Sequence, residues 1–120
     1  PELMVYGNDY PTPDGSGVRD YIHVVDLAKG HVAALKFLSD HRGVHIFNLG
    51  TGRGVSVLEM VSAYERANGI RIPCRITERR AGDVAFSFAS TDKAQRELNW
   101  RAEKTIEDMC RDAYRFESLH

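Results

Sequence analysis

With 120 residues, 42% of them hydrophobic and 28% charged, the chain has the composition of an ordinary globular domain or of part of one. Its net charge of -1 argues against a general attraction to nucleic acid or to an anionic membrane. No apolar run approaches the ~20 residues of a membrane-spanning helix, and no signal or transit peptide is visible.

The cysteines and the first residue indicate the context of the chain. Cys74 and Cys110 are far apart and form no Cys-x-x-Cys pair, so we expect both to be reduced in a cytoplasmic setting. The chain begins at Pro1 rather than at a methionine. We therefore expect it to be a portion of a longer protein.

The first apolar segment, Leu3 to Tyr6, has the character of a short buried strand. The loop that follows, up to Gly17, is rich in proline, glycine and aspartate, which predicts irregular backbone. It delivers Arg19 beside Asp20. Because long polar loops between apolar segments often carry binding residues, Arg19 is the first candidate.

A helix is predicted from Leu27 to about Leu38, with Asp26 as its N-cap and Gly43 beyond its end. Its apolar residues recur at helical spacing on one side, which we expect to be buried. They are Leu27, Ala28, His31, Val32, Leu35 and Leu38.

The middle of the chain predicts a short strand at residues 45–49, a glycine loop at residues 50–54 and a second helix. Ser56 and Glu59 have the spacing of a capping box, and Gly69 closes the helix. A further strand is expected over residues 72–76. It would lie at an edge of its sheet because it contains a proline.

Two helices complete the predicted α/β chain, which has two or three short strands and four helices. The first is capped within residues 90–92 and reaches Leu98. The second opens at Thr105 and Asp108, again at capping-box spacing. Its predicted buried face is Ile106, Met109, Cys110, Ala113 and Phe116 or Leu119.

The glycine loop has the strand–loop–helix layout that can cradle a phosphate. It reads Gly-x-Gly-x-Gly, however, where the dinucleotide fingerprint needs Gly-x-Gly-x-x-Gly. It also lacks a suitable acidic residue about 20 positions further on. We interpret the loop as a tight structural turn.

A second constellation sets Arg79, Arg80 and Asp83 against Arg19 and Asp20. Two guanidinium groups from different loops can neutralise a diphosphate, and a nearby carboxylate can accept hydrogen bonds from ribose hydroxyls. Surface ion pairing, with Arg79 bound to Glu78 and Arg19 to another carboxylate, explains the pattern equally well. The pattern alone leaves both readings open.

No catalytic group is recognisable. The five histidines form no His-Glu-x-x-His arrangement, so no metal site is predicted. No tyrosine has a lysine four residues later, and no nucleophile motif appears. The residues alone therefore predict a binding lobe.

Several strings carry a resemblance to a known family. They are Gly7 to Thr12, Asp14 to Val24, Phe47 to Gly52, Arg79 to Asp83 and Glu97 to Trp100. Together they resemble the C-terminal portion of the UDP-glucose 4-epimerase family, within the extended short-chain dehydrogenase/reductases. The resemblance covers essentially residues 1–120. It implies a C-terminal substrate-binding lobe of a Rossmann-type fold with most of the Rossmann domain absent, and the strand at 45–49 would join the main Rossmann sheet.

The resemblance also implies site residues. Arg19 and Arg80 would bind the UDP diphosphate, and Asp83 would bind the ribose hydroxyls. The strand residues Met4, Val5 and Tyr6 would line the uracil and ribose.

Two positions depart from the family pattern. Ala81 stands where glutamate is common, a change we expect to be tolerated. Ser87 stands where some members carry a bulky aromatic that narrows the sugar pocket. A small residue there is associated with 2-acetamido sugars, so we expect turnover of UDP-GlcNAc and UDP-GalNAc; a neutral substitution is the alternative.

The activity implied by the resemblance is interconversion of UDP-galactose and UDP-glucose through an NAD-dependent 4-keto intermediate. NAD and the Tyr-x-x-x-Lys group belong to the N-terminal part of the family, so this chain alone would be inactive. A homodimer is implied, with contacts largely outside this chain. The alternatives are another nucleotide-sugar dehydratase or decarboxylase, and a stand-alone module that binds UDP without catalysis.

Overall fold

The computed structural model describes all 120 residues and confirms the α/β class. Five strands and four helices follow in the order β1 Leu3–Tyr6, β2 Val18–Arg19, α1 Val24–Asp40, β3 Val55–Ser56, α2 Val57–Asn68, β4 Cys74–Thr77, β5 Phe86–Ser87, α3 Asp92–Glu97 and α4 Ile106–Ser118. None of the helices combines the length and apolarity that crossing a bilayer requires. Cys74 and Cys110 are both free thiols.

The strands form two small sheets. β1 and β4 pair in parallel, so the strand predicted at Leu3 to Tyr6 is confirmed. The strand predicted over residues 72–76 begins two residues late, at Cys74, after Pro73. In the other sheet, β2 lies between β3, to which it is antiparallel, and β5, to which it is parallel. Each strand of this second sheet has only two residues. Other contacts must therefore help to hold it.

The N-cap of α1 is His23, so the prediction of Asp26 was wrong. Nδ1 of the buried His23 ring accepts a hydrogen bond from the Val25 N–H at 3.0 Å. Because Nδ1 is an acceptor, Nε2 carries the proton and donates to Asp112 Oδ2 at 2.9 Å. Imidazole thus replaces the usual cap side chain and joins α1 to α4.

Asp26 lies inside the first turn of α1 and is 1% exposed. Its Oδ2 accepts hydrogen bonds from the Glu103 and Lys104 N–H groups at 3.1 and 2.8 Å. Its backbone carbonyl accepts one from Trp100 Nε1 at 3.0 Å. Asp26 therefore fixes α1 to the segment that precedes α4.

The predicted buried face of α1 was also wrong. Val32, Leu35 and Leu38 are 52%, 69% and 51% exposed. The side of the helix that packs inward carries Gly30, where the Trp100 ring approaches closely. The core beneath it consists of Ala94, Leu98 and Trp100, packed against Ile22, Ala33, Phe37, Phe47, Leu49 and Ala102.

Both predicted capping boxes are confirmed, at Ser56–Glu59 and at Thr105–Asp108. Gly69 ends α2 in the left-handed conformation, as predicted. The second half of α4 is exposed, so burial of Ala113, Phe116 and Leu119 was wrong.

Residues 45–49 pair with no strand of this chain. A strand needs a neighbour to be recognised as one, so membership of a sheet formed by residues outside the chain stays a prediction. The short helix α3 starts after Thr91, close to its predicted place.

Candidate functional site

Arg19 ends the central strand β2, and its guanidinium is held by backbone carbonyls. Nη1 donates to the Val18 and Val84 carbonyl oxygens, both at 2.8 Å. A Cβ added at Gly17 would come within 3.3 Å of Nη1, so the glycine leaves room for the guanidinium. These contacts use both Nη1 protons and leave Nε and Nη2 as donors for a ligand.

Arg80 and Asp83 form a second charged pair in the loop between β4 and β5. Arg80 Nε donates to Asp83 Oδ2 at 3.0 Å, and the guanidinium carbon lies 4.6 Å from the centre of the Tyr6 ring. The Arg80 side chain is 61% exposed. Stacked on the ring and paired at Nε, Arg80 still presents its two terminal nitrogens to solvent.

A backbone carbonyl links Arg19 to the loop that carries Arg80 and Asp83. Val84, whose carbonyl binds Arg19, directly follows Asp83. Ser87 lies three residues further on and stands opposite Arg19 in the β2–β5 register. Two stretches of the chain, one carrying Arg19 and the other carrying Asp83 and Ser87, are therefore joined at this point of the second sheet.

The predicted uracil-lining strand divides into two sides. Met4 and Tyr6 are 38% and 40% exposed, whereas Val5 is 1% exposed and points into the interior. Alternation along β1 explains the division. Only the side chains of Met4 and Tyr6 can face a ligand, and the Val5 side chain packs in the core.

Arg79 is committed to a different contact. Its Nε donates to Asp9 Oδ1 at 2.8 Å and its guanidinium carbon lies 4.1 Å from the Tyr10 ring centre. The hydrogen bond from Arg79 lowers the pKa of the Asp9 carboxyl. Ion pairing of Arg79 is thus observed, but with Asp9 rather than with Glu78. Arg19 makes no ion pair.

The glycine loop is filled by a carboxylate of the chain itself. Asp20 Oδ1 accepts from the Thr51 N–H at 2.9 Å and from the Thr51 hydroxyl at 2.6 Å, and Oδ2 accepts from the Gly52 N–H at 2.9 Å. Gly52 adopts a φ of 73°, as a tight turn requires. The donors that would face a pyrophosphate are therefore used. The loop fits the predicted structural turn and does not fit a bound dinucleotide.

Asp20 and Asp14, near the candidate site, also make contacts that the sequence did not suggest. Asp14 accepts hydrogen bonds from the Ser16 N–H at 2.9 Å, from the Ser16 hydroxyl at 2.7 Å and from the Ser56 hydroxyl. Burial raises the pKa of both carboxyls, but their hydrogen bonds outweigh it and leave the pKa below the usual value. The Asp-x-Ser spacing predicts the local turn; the contact with Ser56 has no local signal.

Comparison with known proteins places this geometry in context. Residues 1–113 match the family model described as GDP-mannose 4,6 dehydratase. UDP-glucose 4-epimerase from Bacillus subtilis is 56% identical over 117 residues, which cover 98% of this chain and 34% of that protein. UDP-glucose 4-epimerase GEPI48 from Cyamopsis tetragonoloba is 58% identical, with the same coverage. The chain thus spans about a third of the length of these relatives.

Solved structures agree with the sequence comparison. The chain superposes with a TM-score of 0.96 on UDP-glucose 4-epimerase from Stenotrophomonas maltophila, at 54% identity, over 99% of this chain and 35% of the other. That structure holds NAD and formylated UDP-arabinopyranose. The enzyme from Bifidobacterium longum, in complex with NAD+ and UDP, gives 0.94 at 55% identity, again over 99% and 35%.

Proposed function

The chain belongs to the GDP-mannose 4,6-dehydratase family and corresponds to the C-terminal portion of UDP-glucose 4-epimerases, and from this premise we propose that it anchors the UDP group in such an epimerase. The observation that carries the proposal is the bond from Arg19 Nη1 to the Val84 carbonyl at 2.8 Å. It fixes one candidate phosphate-binding arginine to the loop that carries the other, Arg80.

Charge and donor geometry support a diphosphate ligand. Arg19 keeps Nε and Nη2 as donors, and Arg80 keeps its two terminal nitrogens. Charge-assisted hydrogen bonds contribute ~1.5–3 kcal/mol each, so two such groups provide a substantial anchor. Asp83 binds Arg80 through Oδ2 alone, which leaves Oδ1 to accept hydrogen bonds from ribose hydroxyls.

An anchor on the nucleotide suits an epimerase. In interconverting UDP-galactose and UDP-glucose, the sugar must present both faces of C4 to one reactive centre. Binding energy placed on a remote group can hold the substrate while its reacting part turns. The residues of this chain supply the grip, and no Tyr-x-x-x-Lys pair occurs among them, so we expect the isolated chain to be inactive.

The cofactor belongs outside this chain. The glycine loop donates to Asp20 and does not fit NAD. We therefore expect NAD and the Tyr-x-x-x-Lys group of the family to lie in the remaining portion of the protein. We expect the whole protein to be a cytoplasmic enzyme of galactose metabolism. When bound there, NAD supplies the redox chemistry at the sugar C4.

An uncovered apolar surface supports attachment to that larger portion. Three apolar side chains of α1 are more than half exposed: Val32, Leu35 and Leu38. In the segment after α1, Val44 and Ile46 are 93% and 75% exposed. Apolar patches of this kind mark interfaces. We assign this surface to packing against the rest of the same protein, and we expect homodimer contacts to lie largely outside this chain.

A second candidate has its own support, because the family model that matches carries the name of a dehydratase. Incubation of the full-length protein with UDP-galactose separates the two. UDP-glucose as product supports the epimerase, whereas a dehydrated or decarboxylated nucleotide sugar overturns it.

A stand-alone binding module is the remaining alternative. It requires the isolated 120 residues to fold and to bind UDP. Thermal melts of the isolated chain with and without UDP test this requirement. The epimerase assignment predicts poor folding of the isolated chain, because its apolar surface lacks a cover.

A further inference from the structure

Asp20 joins three segments that are far apart in the sequence. In addition to the Thr51 and Gly52 donors, its Oδ2 accepts a hydrogen bond from the Ala89 N–H at 3.2 Å. One carboxylate therefore takes three backbone N–H groups and the Thr51 hydroxyl. All four donors are electrically neutral, so the carboxylate orders backbone rather than balancing a cation.

The position of Asp20 at one end of the second sheet shows which strands these hydrogen bonds hold together. Asp20 follows β2, Ala89 lies two residues after β5, and Gly52 lies shortly before β3. Because β5 is parallel to β2 and β3 is antiparallel, all three points fall at the same end of the sheet. Asp20 thus clasps both strands that flank Arg19.

The clasp is built into a closed space. A Cβ added at Gly50 would lie 2.5 Å from Asp20 Oδ2 and 2.9 Å from Ala89 Cβ, so only glycine fits there. Strands of two residues form few ladder bonds of their own. The hydrogen bonds of Asp20 are therefore a large part of what keeps Arg19 opposite Ser87.

We propose that Asp20 is a positioning residue of the UDP-sugar site: it fixes the strands on both sides of Arg19 and so sets the guanidinium for the diphosphate. The proposal deepens the UDP-anchoring function and rests on it. Asp20 acts through Arg19 and touches no substrate.

The test uses the full-length protein with UDP as the probe, titrated calorimetrically. Asp20→Asn keeps the shape of the side chain but replaces one acceptor oxygen with an amide that cannot accept. We expect UDP binding to weaken about ten-fold, a size typical of coupled neighbours. In a double-mutant cycle, the double variant should bind UDP less than about two-fold more weakly than Arg19→Ala alone. The reason is that Asp20 acts through Arg19, which is already missing.

A residue that only maintains the fold would give a different pattern. It would lower the melting temperature without changing the affinity of the folded protein for UDP. Additive losses in the cycle, or wild-type affinity in Asp20→Asn, overturn the proposal. Asp40→Asn, at the exposed end of α1, is the matched control and should bind UDP as the wild type does.

If Asp20→Asn does not fold, Thr51→Val replaces it, since it removes one hydroxyl donor of the clasp. It should weaken UDP binding about two-fold and show the same coupling to Arg19; additive losses overturn the proposal here too. Failure of the unmodified protein to bind UDP would overturn the proposed function together with this inference. Normal UDP binding in whichever clasp variant is tested would overturn this inference alone.

Discussion

Arg19 and Ser87 stand opposite each other on two parallel strands, β2 and β5. In the proposed site, Arg19 holds the diphosphate and Ser87 faces the sugar attached to it. Their fixed register determines how far the sugar lies from its anchor. The predictions below concern the groups that set this arrangement.

Sugar selectivity should depend on the size of residue 87. We propose that the small Ser87 side chain lines the sugar pocket and leaves room there, so the full-length enzyme should convert UDP-GlcNAc to UDP-GalNAc as well as UDP-galactose to UDP-glucose. Ser87→Tyr should lower kcat/KM for UDP-GlcNAc by about five-fold or more, since overpacking costs ~1–3 kcal/mol, and should leave turnover of UDP-galactose in place. Product analysis with both substrates checks this. Absence of UDP-GlcNAc turnover in the unmodified enzyme would contradict it.

The Tyr6 ring should support Arg80 through its π face. Tyr6→Leu removes that face and should weaken UDP binding by about two- to five-fold, because an exposed cation–π contact contributes ~0.5–1 kcal/mol. Tyr6→Phe keeps the aromatic face and serves as the matched control. Titration with UDP compares the two variants, and equal affinities for both would exclude the stacking role.

Acid should destabilise the lobe through Asp14. Its pKa is lowered in the folded state, so it binds a proton less readily when folded than when unfolded. Its stabilisation is complete above the unfolded pKa of ~3.9 and is lost as the pH falls through the folded value. Urea unfolding of the full-length protein between pH 7 and pH 3 should therefore show a falling free energy of unfolding. Asp14→Asn should make this fall shallower; an unchanged slope would refute the assignment.

The imidazole cap of α1 should be a measurable source of stability. His23→Ala removes the acceptor for the Val25 N–H and the bond to Asp112. Loss of an N-cap costs ~0.5–2 kcal/mol, so the free energy of unfolding should fall by about that amount. His23→Asn restores the cap acceptor and should recover part of the loss. If His23→Ala left the free energy of unfolding unchanged, the cap would contribute nothing to stability.

The sequence predicted the structural features that depend on residues close together in the chain, and motif strings supplied the candidate site residues. Both capping boxes and the left-handed Gly69 lie within a few residues of their partners, and short-range rules found them. Arg19, Arg80 and Asp83 are site candidates that motif strings resembling the family proposed, and their roles stay predictions. The structure adds the Val84 carbonyl that links them.

Longer-range features were missed for a physical reason. Asp26 looked like a cap, but its carboxylate binds N–H groups at Glu103 and Lys104, far along the chain. The apolar stripe of α1 predicted a core that this chain does not form, since Leu35 remains 69% exposed. Helical periodicity reports that a face is apolar without reporting which residues cover it.

The central claim is that Arg19 grips the nucleotide of the substrate. In the full-length protein, Arg19→Ala should raise the KM for UDP-galactose and the Kd for UDP by at least about ten-fold, the equivalent of ~1.4 kcal/mol, while bound NAD is retained. An Arg19→Ala enzyme with wild-type KM and wild-type affinity for UDP would contradict the account.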